Sequence, residues 1–329
     1  MSHEPRITSH TSSRQQGLSA SESRLTTLRS ALRDAIAQLE SEQIPSAPLA
    51  AELLLMHTLE RNRTWLYAHP EHELDAATRE RYFSLIARRA SGVPTQHLNG
   101  HQEFWGLDFE VTPDVLIPRP ETEHVIEVTL ERLAIPAGSA ASQRNATLRI
   151  ADVGTGSGCI AVALAHDLPS SRITATDISA AALEVARRNA TRHGVAPRID
   201  FIECNLLGKV LYRSPATSHQ SPPYDLIASN PPYIGRNEAA TLPREVREHE
   251  PDSALFGGET GTEMYAPLIE QAATLLKRDG ILVLELGHNS AEHVSSLLTA
   301  PAWSDLSLTK DLAGIERVAS ARRTPTCSQ

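Results

Sequence analysis

Asn230-Pro231-Pro232-Tyr233 is the stretch of this 329-residue chain whose residue types are hardest to explain by structure alone. It follows the apolar run YDLIAS, which reads as a buried strand. Proline has no N–H and a fixed φ, so two in succession remove two ladder donors and stiffen the loop. A stiff loop suits the presentation of acceptors in a set geometry. Asn230 carries a side-chain carbonyl oxygen and Pro231 a main-chain one, which together can accept both N–H bonds of a planar –NH₂ group. Tyr233 brings a ring against which that plane can stack. The bland alternative is a strand-ending turn with a surface tyrosine.

A second constellation lies upstream. Asp152-Val153-Gly154-Thr155-Gly156-Ser157-Gly158 leads from the apolar run LRIA into the helical run CIAVALA. Glycines at such a turn let a ligand approach the backbone, and the helix start supplies free N–H groups. A nicotinamide fingerprint requires G-x-G-x-x-G, but Cys159 stands where its third glycine would fall, which disfavours a dehydrogenase. Asp177 comes nineteen residues after Gly158, at the end of RITATD. A carboxylate there can accept from both ribose hydroxyls of a nucleoside, or can cap the helix that follows. Asn205 and Leu206, past a third strand, stand where an adenine would lie, or are turn residues.

These groups need a scaffold that brings strand ends together. LRIADVG, RITATD, RIDFIEC, YDLIASN and GILVLELG read as strands, with helices over about 158–167, 179–193 and 262–278 between them. Alternation of this kind predicts a doubly wound, mostly parallel sheet with right-handed crossovers and its ligand site at the carboxyl ends. Two further apolar runs, 305–310 and 315–322, add an edge hairpin. Ahead of the sheet, Leu25, Leu28, Leu32, Ile36 and Leu39 recur at helical spacing over 22–41. Pro45 and Pro48 open a second helical stretch, and a third runs 75–91 behind Asp75 as cap. Residues 92–123 change character: a hairpin over about 102–111, then a linker stiffened by Pro113, Pro118 and Pro120, ending where Glu121 and Glu123 start a helix. Residues 1–21 read as a disordered tail, 136–147 as a soft insert and 213–223 as a Ser/Pro-rich one.

Composition narrows the class further. The net charge of −9 is shared by both halves, without the clustered Lys/Arg that polyanion binding requires, so no direct nucleic-acid binding is expected. No run approaches the length of a bilayer span and the start carries no signal peptide, so a cytoplasmic protein without membrane association is expected. Cys159, Cys204 and Cys327 form no CxxC pair, and His57, His69 and His72 include no i,i+4 pair, so no metal site is expected.

DVGTGSG, Asp177 and NPPY in this order resemble the class I S-adenosylmethionine-dependent methyltransferases that modify planar amino groups. More narrowly, the helical N-terminal region, EFWGLDFEVTPDVLIPRPETE, SNPPYI and EHEPDSALFGGETGTEMY are similar to the PrmC/HemK family over about residues 25–325. That family comprises the protein-(glutamine-N5) methyltransferases of peptide chain release factors. The resemblance implies an α/β fold with a Rossmann-like seven-stranded sheet and a small N-terminal helical bundle. With the composition shifts it suggests a helical substrate-docking domain over 22–100, a hairpin and linker over 101–123, and a catalytic domain over 124–329. It implies S-adenosyl-L-methionine as cofactor, lined by Gly154, Thr155, Gly156, Ser157 and Gly158, with Asp177 on the ribose, Asn205 and Leu206 beside the adenine, and Asn230 adjoining. Family members commonly carry Asp where this chain has Asn205. It also implies that Asn230 and Pro231 are catalytic, that Asn230, Pro231, Pro232 and Tyr233 hold the substrate glutamine, and that the partners are class 1 release factors, met at their GGQ loop during control of translation termination. Two rival readings stand beside this one. An N6-adenine nucleic-acid methyltransferase would share the NPPY logic but must extract its base and usually carries a basic recognition region. A catalytically silent, cofactor-binding regulator of translation would leave NPPY without a purpose.

Overall fold

Apolar residues three and four apart build the N-terminal layer of the computed structural model, which describes residues 26–134, 147–213 and 224–324. The expected tail over 1–21, nearly all of the two inserts and Cys327 lie outside the described residues. Helix α1 (Leu28–Ser41) begins later than the position 22 expected, because the Thr27 hydroxyl accepts the Ser30 N–H and caps it there. It packs with α2 (Ala47–Leu59) and α4 (Ala76–Ala90), which the Asp75 carboxylate caps at the Thr78 N–H, 2.8 Å away. Two short helices that sequence periodicity did not announce, α3 (Arg63–Ala68) and α5 (Thr95–Asn99), complete the bundle around Leu39, Leu54, Tyr82 and Ile86.

The hairpin falls within one residue of expectation, β1 (His101–Phe104) antiparallel to β2 (Leu107–Glu110). Phe104 and Phe109 are buried in the same core as the helix after the glycine turn, and the Trp105 indole N–H donates to Asp167 at 2.8 Å. The hairpin is thus docked on the sheet domain. From it the chain crosses the carboxyl edge of the sheet before α6 (Glu123–Arg132).

The central sheet has seven strands. In chain order they are β3 (Arg149–Val153), β4 (Arg172–Asp177), β5 (Ile199–Glu203), β6 (Tyr224–Ser229), β9 (Leu276–Glu285), β10 (Trp303–Lys310) and β11 (Glu316–Arg323). Their order across the sheet is β10-β11-β9-β6-β3-β4-β5, parallel except for the two pairings of β11. Between β6 and β9 a small parallel pair forms from β7 (Ile234–Gly235) and β8 (Phe256–Gly258). Helices α7 (Cys159–Asp167) and α8 (Ala180–Arg192) cover one face, and α12 (Tyr265–Leu275) the other. Short helices α9 (Gly208–Arg213), α10 (Arg244–His249), α11 (Asp252–Leu255) and α13 (Ala291–Leu297) fill the connections. Strand order reverses between β3 and β6, which opens a crevice at their carboxyl ends. No helix among the described residues is long and apolar enough to cross a membrane.

Gly158 holds the layer behind that crevice together. Its φ is +83°, and a Cβ on it would stand 3.0 Å from the Ala186 Cβ of α8. Gly158→Ala therefore combines a left-handed backbone with overpacking, and is expected to lower stability by about 2–3 kcal/mol in urea unfolding. An unshifted midpoint would mean that α7 and α8 are not held at this spacing.

Candidate active site

The carboxyl ends of β3, β4, β5 and β6 enclose a cavity of about 350 Å³. Gly154 and Gly156 line it at the end of β3, Asp177 at the end of β4, Asn205 and Leu206 past β5, and Asn230, Pro231 and Pro232 past β6. Asp114, Val115 and Leu116 of the proline-stiffened linker also line it. Sequence reasoning treated that linker as a connector. Its apolar residues explain the placement: Val111 and Val115 are buried against Ala182 and Val185 of α8, so the linker crosses the mouth of the crevice.

The glycine turn divides in two. Gly154 and Gly156, with φ of +73° and +54°, face the cavity. Thr155, Ser157 and Gly158 do not line it and form the turn's buried side. Thr155 donates its hydroxyl to Asp152 Oδ2 at 2.6 Å, and Asn189 Nδ2 donates to the Ser157 carbonyl at 2.8 Å. Asp152 Oδ2 also accepts the Ala161 N–H of α7, at 3.1 Å, so this one carboxyl holds the turn to the helix. It is fully buried, and burial pushes its pKa up to about 7 against the opposing pull of Thr155 and Ala161.

Asp177 is oriented by backbone. Its Oδ2 accepts the Gly156 N–H and its Oδ1 the Ser179 N–H, both at 2.9 Å. Burial raises its pKa, with those N–H groups and that of Ile178 opposing. The cap of α8 is Ser179, whose hydroxyl accepts the Ala182 N–H at 3.1 Å, so Asp177 is not needed for it. Asn205 is exposed at the cavity, and Leu206 takes a positive φ of 50°.

After β6, the Ser229 hydroxyl donates to the Val153 carbonyl at 2.7 Å and joins the β6 loop to the glycine turn. Asn230 Nδ2 donates to the Thr122 hydroxyl oxygen at 3.0 Å, which leaves Asn230 Oδ1 as the end of the amide not spent on Thr122. Tyr233 does not line the cavity; its ring lies over Gly287 and its hydroxyl donates to Glu285 Oε1 at 3.1 Å. Of the two linker carboxylates, Glu123 accepts the Trp105 N–H and belongs to the hairpin, whereas Glu121 is exposed. Sequence reasoning missed Thr122 and Glu285. A signal existed for Glu285, a lone acid inside the apolar strand run LVLELG, where an unpaired charge is costly. Thr122 had none.

Residues 30–100 match the family model of the PrmC N-terminal domain, and residues 140–246 that of the methyltransferase small domain. The release factor glutamine methyltransferase of Koribacter versatilis is 41% identical over 297 residues, which are 90% of this chain and 99% of that protein. The enzyme of the same name from Moorella thermoacetica is 42% identical over 298 residues, again 90% and 99% of the two chains. Among solved structures, the N-terminal domain of human METTL16 in complex with SAH is similar with a TM-score of 0.50 and 17% identity. The match covers 83% of this chain and 94% of that one, a likeness of fold alone.

Asp152 offers a pH test of the site's foundation. Its folded pKa, about 7, lies above the ordinary 3.8, so its contribution to stability is present below pH 4 and is lost as pH rises through 7. Asp152→Asn removes that titration. Unfolding free energy measured by denaturant at pH 5 and pH 8 should therefore fall less in the variant than in the parent. Equal falls would show that Asp152 is ionised in the fold without penalty.

Proposed function

The chain belongs to the release factor glutamine methyltransferase family, and from that premise we propose that it moves the methyl group of S-adenosyl-L-methionine to the N5 amide nitrogen of the glutamine in the GGQ loop of class 1 peptide chain release factors. The observation that carries the reading is the Asn230 amide, whose nitrogen is committed to Thr122 while its oxygen is left to accept, on a loop stiffened by Pro231 and Pro232.

The donor set suits the cofactor. The backbone of Gly154 and Gly156 admits a close ligand, Asp177 brings a carboxylate for ribose hydroxyls, and Asn205 and Leu206 are suited to border the base. S-adenosyl-L-methionine, when bound, supplies an electrophilic methyl group on a sulfonium. Thr155, Ser157 and Gly158 then serve by shaping the turn.

An amide nitrogen is a poor nucleophile because its lone pair is delocalised into the carbonyl, and NPPY contains no strong base. Asn230 Oδ1 and the Pro231 carbonyl instead accept the two N–H bonds, aim the nitrogen and stabilise the positive charge that develops on it. The proton leaves afterwards to water. Tyr233 and Pro232 fix the loop's course, and the N-terminal bundle, over about residues 22–100, docks the release factor.

Two substitutions separate binding from transfer. Asp177→Ala should weaken cofactor binding by about 1.5–3 kcal/mol in calorimetry. Asn230→Ala should leave cofactor affinity nearly unchanged but slow transfer about 10²–10³-fold, as loss of one preorganised acceptor does. The assay is single-turnover transfer from labelled cofactor to purified release factor, with the methyl located by mass spectrometry. A methyl on any residue other than the GGQ glutamine, or near-normal transfer by folded, cofactor-loaded Asn230→Ala, would sink the reading.

A further inference from the structure

Arg89, in the last turn of α4, is only 4% exposed, and an arginine so deeply buried needs a partner. It finds one in α10, beyond the NPPY loop: one guanidinium nitrogen meets the Glu245 carboxylate at 2.6 Å, while another donates to the Val93 carbonyl at 3.2 Å. Beside it, Gly92 lies against the Arg244 side chain, whose Nε would stand 3.4 Å from a Cβ placed there. The N-terminal bundle thus touches α10 at its first two residues. The far end of α10 is held as well. Glu250, 6% exposed, follows the helix; its Oε2 accepts the Ile117 N–H at 3.3 Å, and its Oε1 accepts from the Arg119 guanidinium.

None of the α10 residues lines the cavity, yet both of its neighbours do. Ile117 follows Leu116, the last linker residue in the cavity wall, and three positions past Glu250 the chain enters the wall again with Ser253, Ala254 and Phe256. Gly257 then backs onto the Pro232 carbonyl oxygen. A helix of six residues cannot hold its own place, so the position of α10 is set by what it touches. An exposed ion pair would hold it weakly. This pair is different because the Arg89 guanidinium is desolvated and would be left as an uncompensated buried charge if Glu245 moved away.

We propose that Arg89 and Glu245 are positioning residues: through their ion pair the N-terminal bundle fixes α10, and with it the wall formed by Ser253, Ala254 and Phe256 and the backing of the NPPY loop, so that the bundle supports the transfer step itself and not only the docking assigned to it above. The inference rests on the methyl-transfer reading given above.

Glu245→Lys sets a like charge against the buried guanidinium and should release α10. In the full chain, single-turnover transfer at saturating release factor should slow about 5–20-fold, because a small displacement of a site wall is enough for that. KM for release factor should stay within about twofold, whereas a bundle that only docks the substrate would lose KM and keep its rate. Arg89→Met cuts the same pair from its buried side, leaves the surface charge of α10 as it is, and should slow transfer by a similar factor. The Arg89→Met/Glu245→Lys double variant should be no slower than its slower parent, since both remove one contact. A parental rate in either single variant, a raised KM without loss of rate, or losses that multiply in the double variant would overturn the proposal. If Arg89→Met does not fold, Glu245→Lys, changed at a partly exposed side chain, decides alone. Amide exchange followed by mass spectrometry adds a readout that needs no substrate: over residues 244–258 it should quicken at least about threefold in Glu245→Lys, with α7 and α8 unchanged. Unchanged exchange over 244–258, or equal quickening in α7 and α8, is fatal to the strut whatever the substrate. A methyl placed elsewhere than on the GGQ glutamine by the parent ends only the reading above, and exchange then judges the strut.

Discussion

A loop whose first two residues after Asn230 are both proline cannot tie itself down with its own N–H groups, so everything that holds it must come from elsewhere. That constraint organises the carboxyl edge of the sheet. Ser229 reaches across to the Val153 carbonyl, Thr122 takes the Asn230 amide nitrogen, and Glu285 takes the Tyr233 hydroxyl. These supports come from β3, from the turn before α6 and from β9, elements far apart in the chain and adjacent in space. One fixes the end of β6 and the other two each fix a residue of the loop, so the acceptors of the proposed clamp are held in a set geometry.

The same logic explains why the glycine turn carries a buried acid. Asp152 bonds both the Thr155 hydroxyl and the Ala161 N–H, and so joins turn and helix at the point where Gly154 and Gly156 must stay open. Burying a carboxyl is unfavourable, as its raised pKa records. Asp152 and Glu285 stand at the ends of two different strands, both fully buried and both raised to about 7. One fixes the glycine turn that lines the cavity, the other the Tyr233 hydroxyl behind the loop after β6. Stability is spent in both places to gain geometry.

What the chain made legible, and what it hid, follows from the range of the interactions. Strands buried on both faces read as continuous apolar runs, so β3, β6 and β9 stood out; β4 and the edge strand β5 showed by alternation, and the hairpin of β10 and β11 followed from the last two runs. Capped amphipathic helices were equally plain, α4 behind Asp75 above all. The glycine turn, Asp177 and NPPY showed themselves because their residue types were poor structural choices where they stood. Thr122 did not, because a threonine at a helix start is ordinary; its partner Asn230 lies 108 positions away and no local pattern encodes that contact. Nor did the place of Asp114, Val115 and Leu116 in the cavity wall, since a proline-rich stretch reads alike whether it spans solvent or a cavity. Short elements such as α3 and the β7–β8 pair are below the length at which a period can be seen.

The segment after NPPY shows how resemblance and physics meet. FGGETG was legible only as part of a family-like stretch, with no chemistry of its own. In the fold, β8 pairs with β7 immediately beyond Tyr233, and at Gly257 and Gly261 the backbone passes too close to the loop to admit a side chain. A Cβ on Gly257 would stand 2.2 Å from the Pro232 carbonyl oxygen, and one on Gly261 would stand 2.3 Å from the Tyr233 carbonyl oxygen. The loop that cannot support itself is therefore clasped from outside by a segment that is glycine at its two closest approaches, Gly257 and Gly261. Because Phe256 and Met264 of the same segment also line the cavity, the clasp is at once support and wall. A residue type chosen for the absence of a side chain thus shapes the candidate site alongside Asn230.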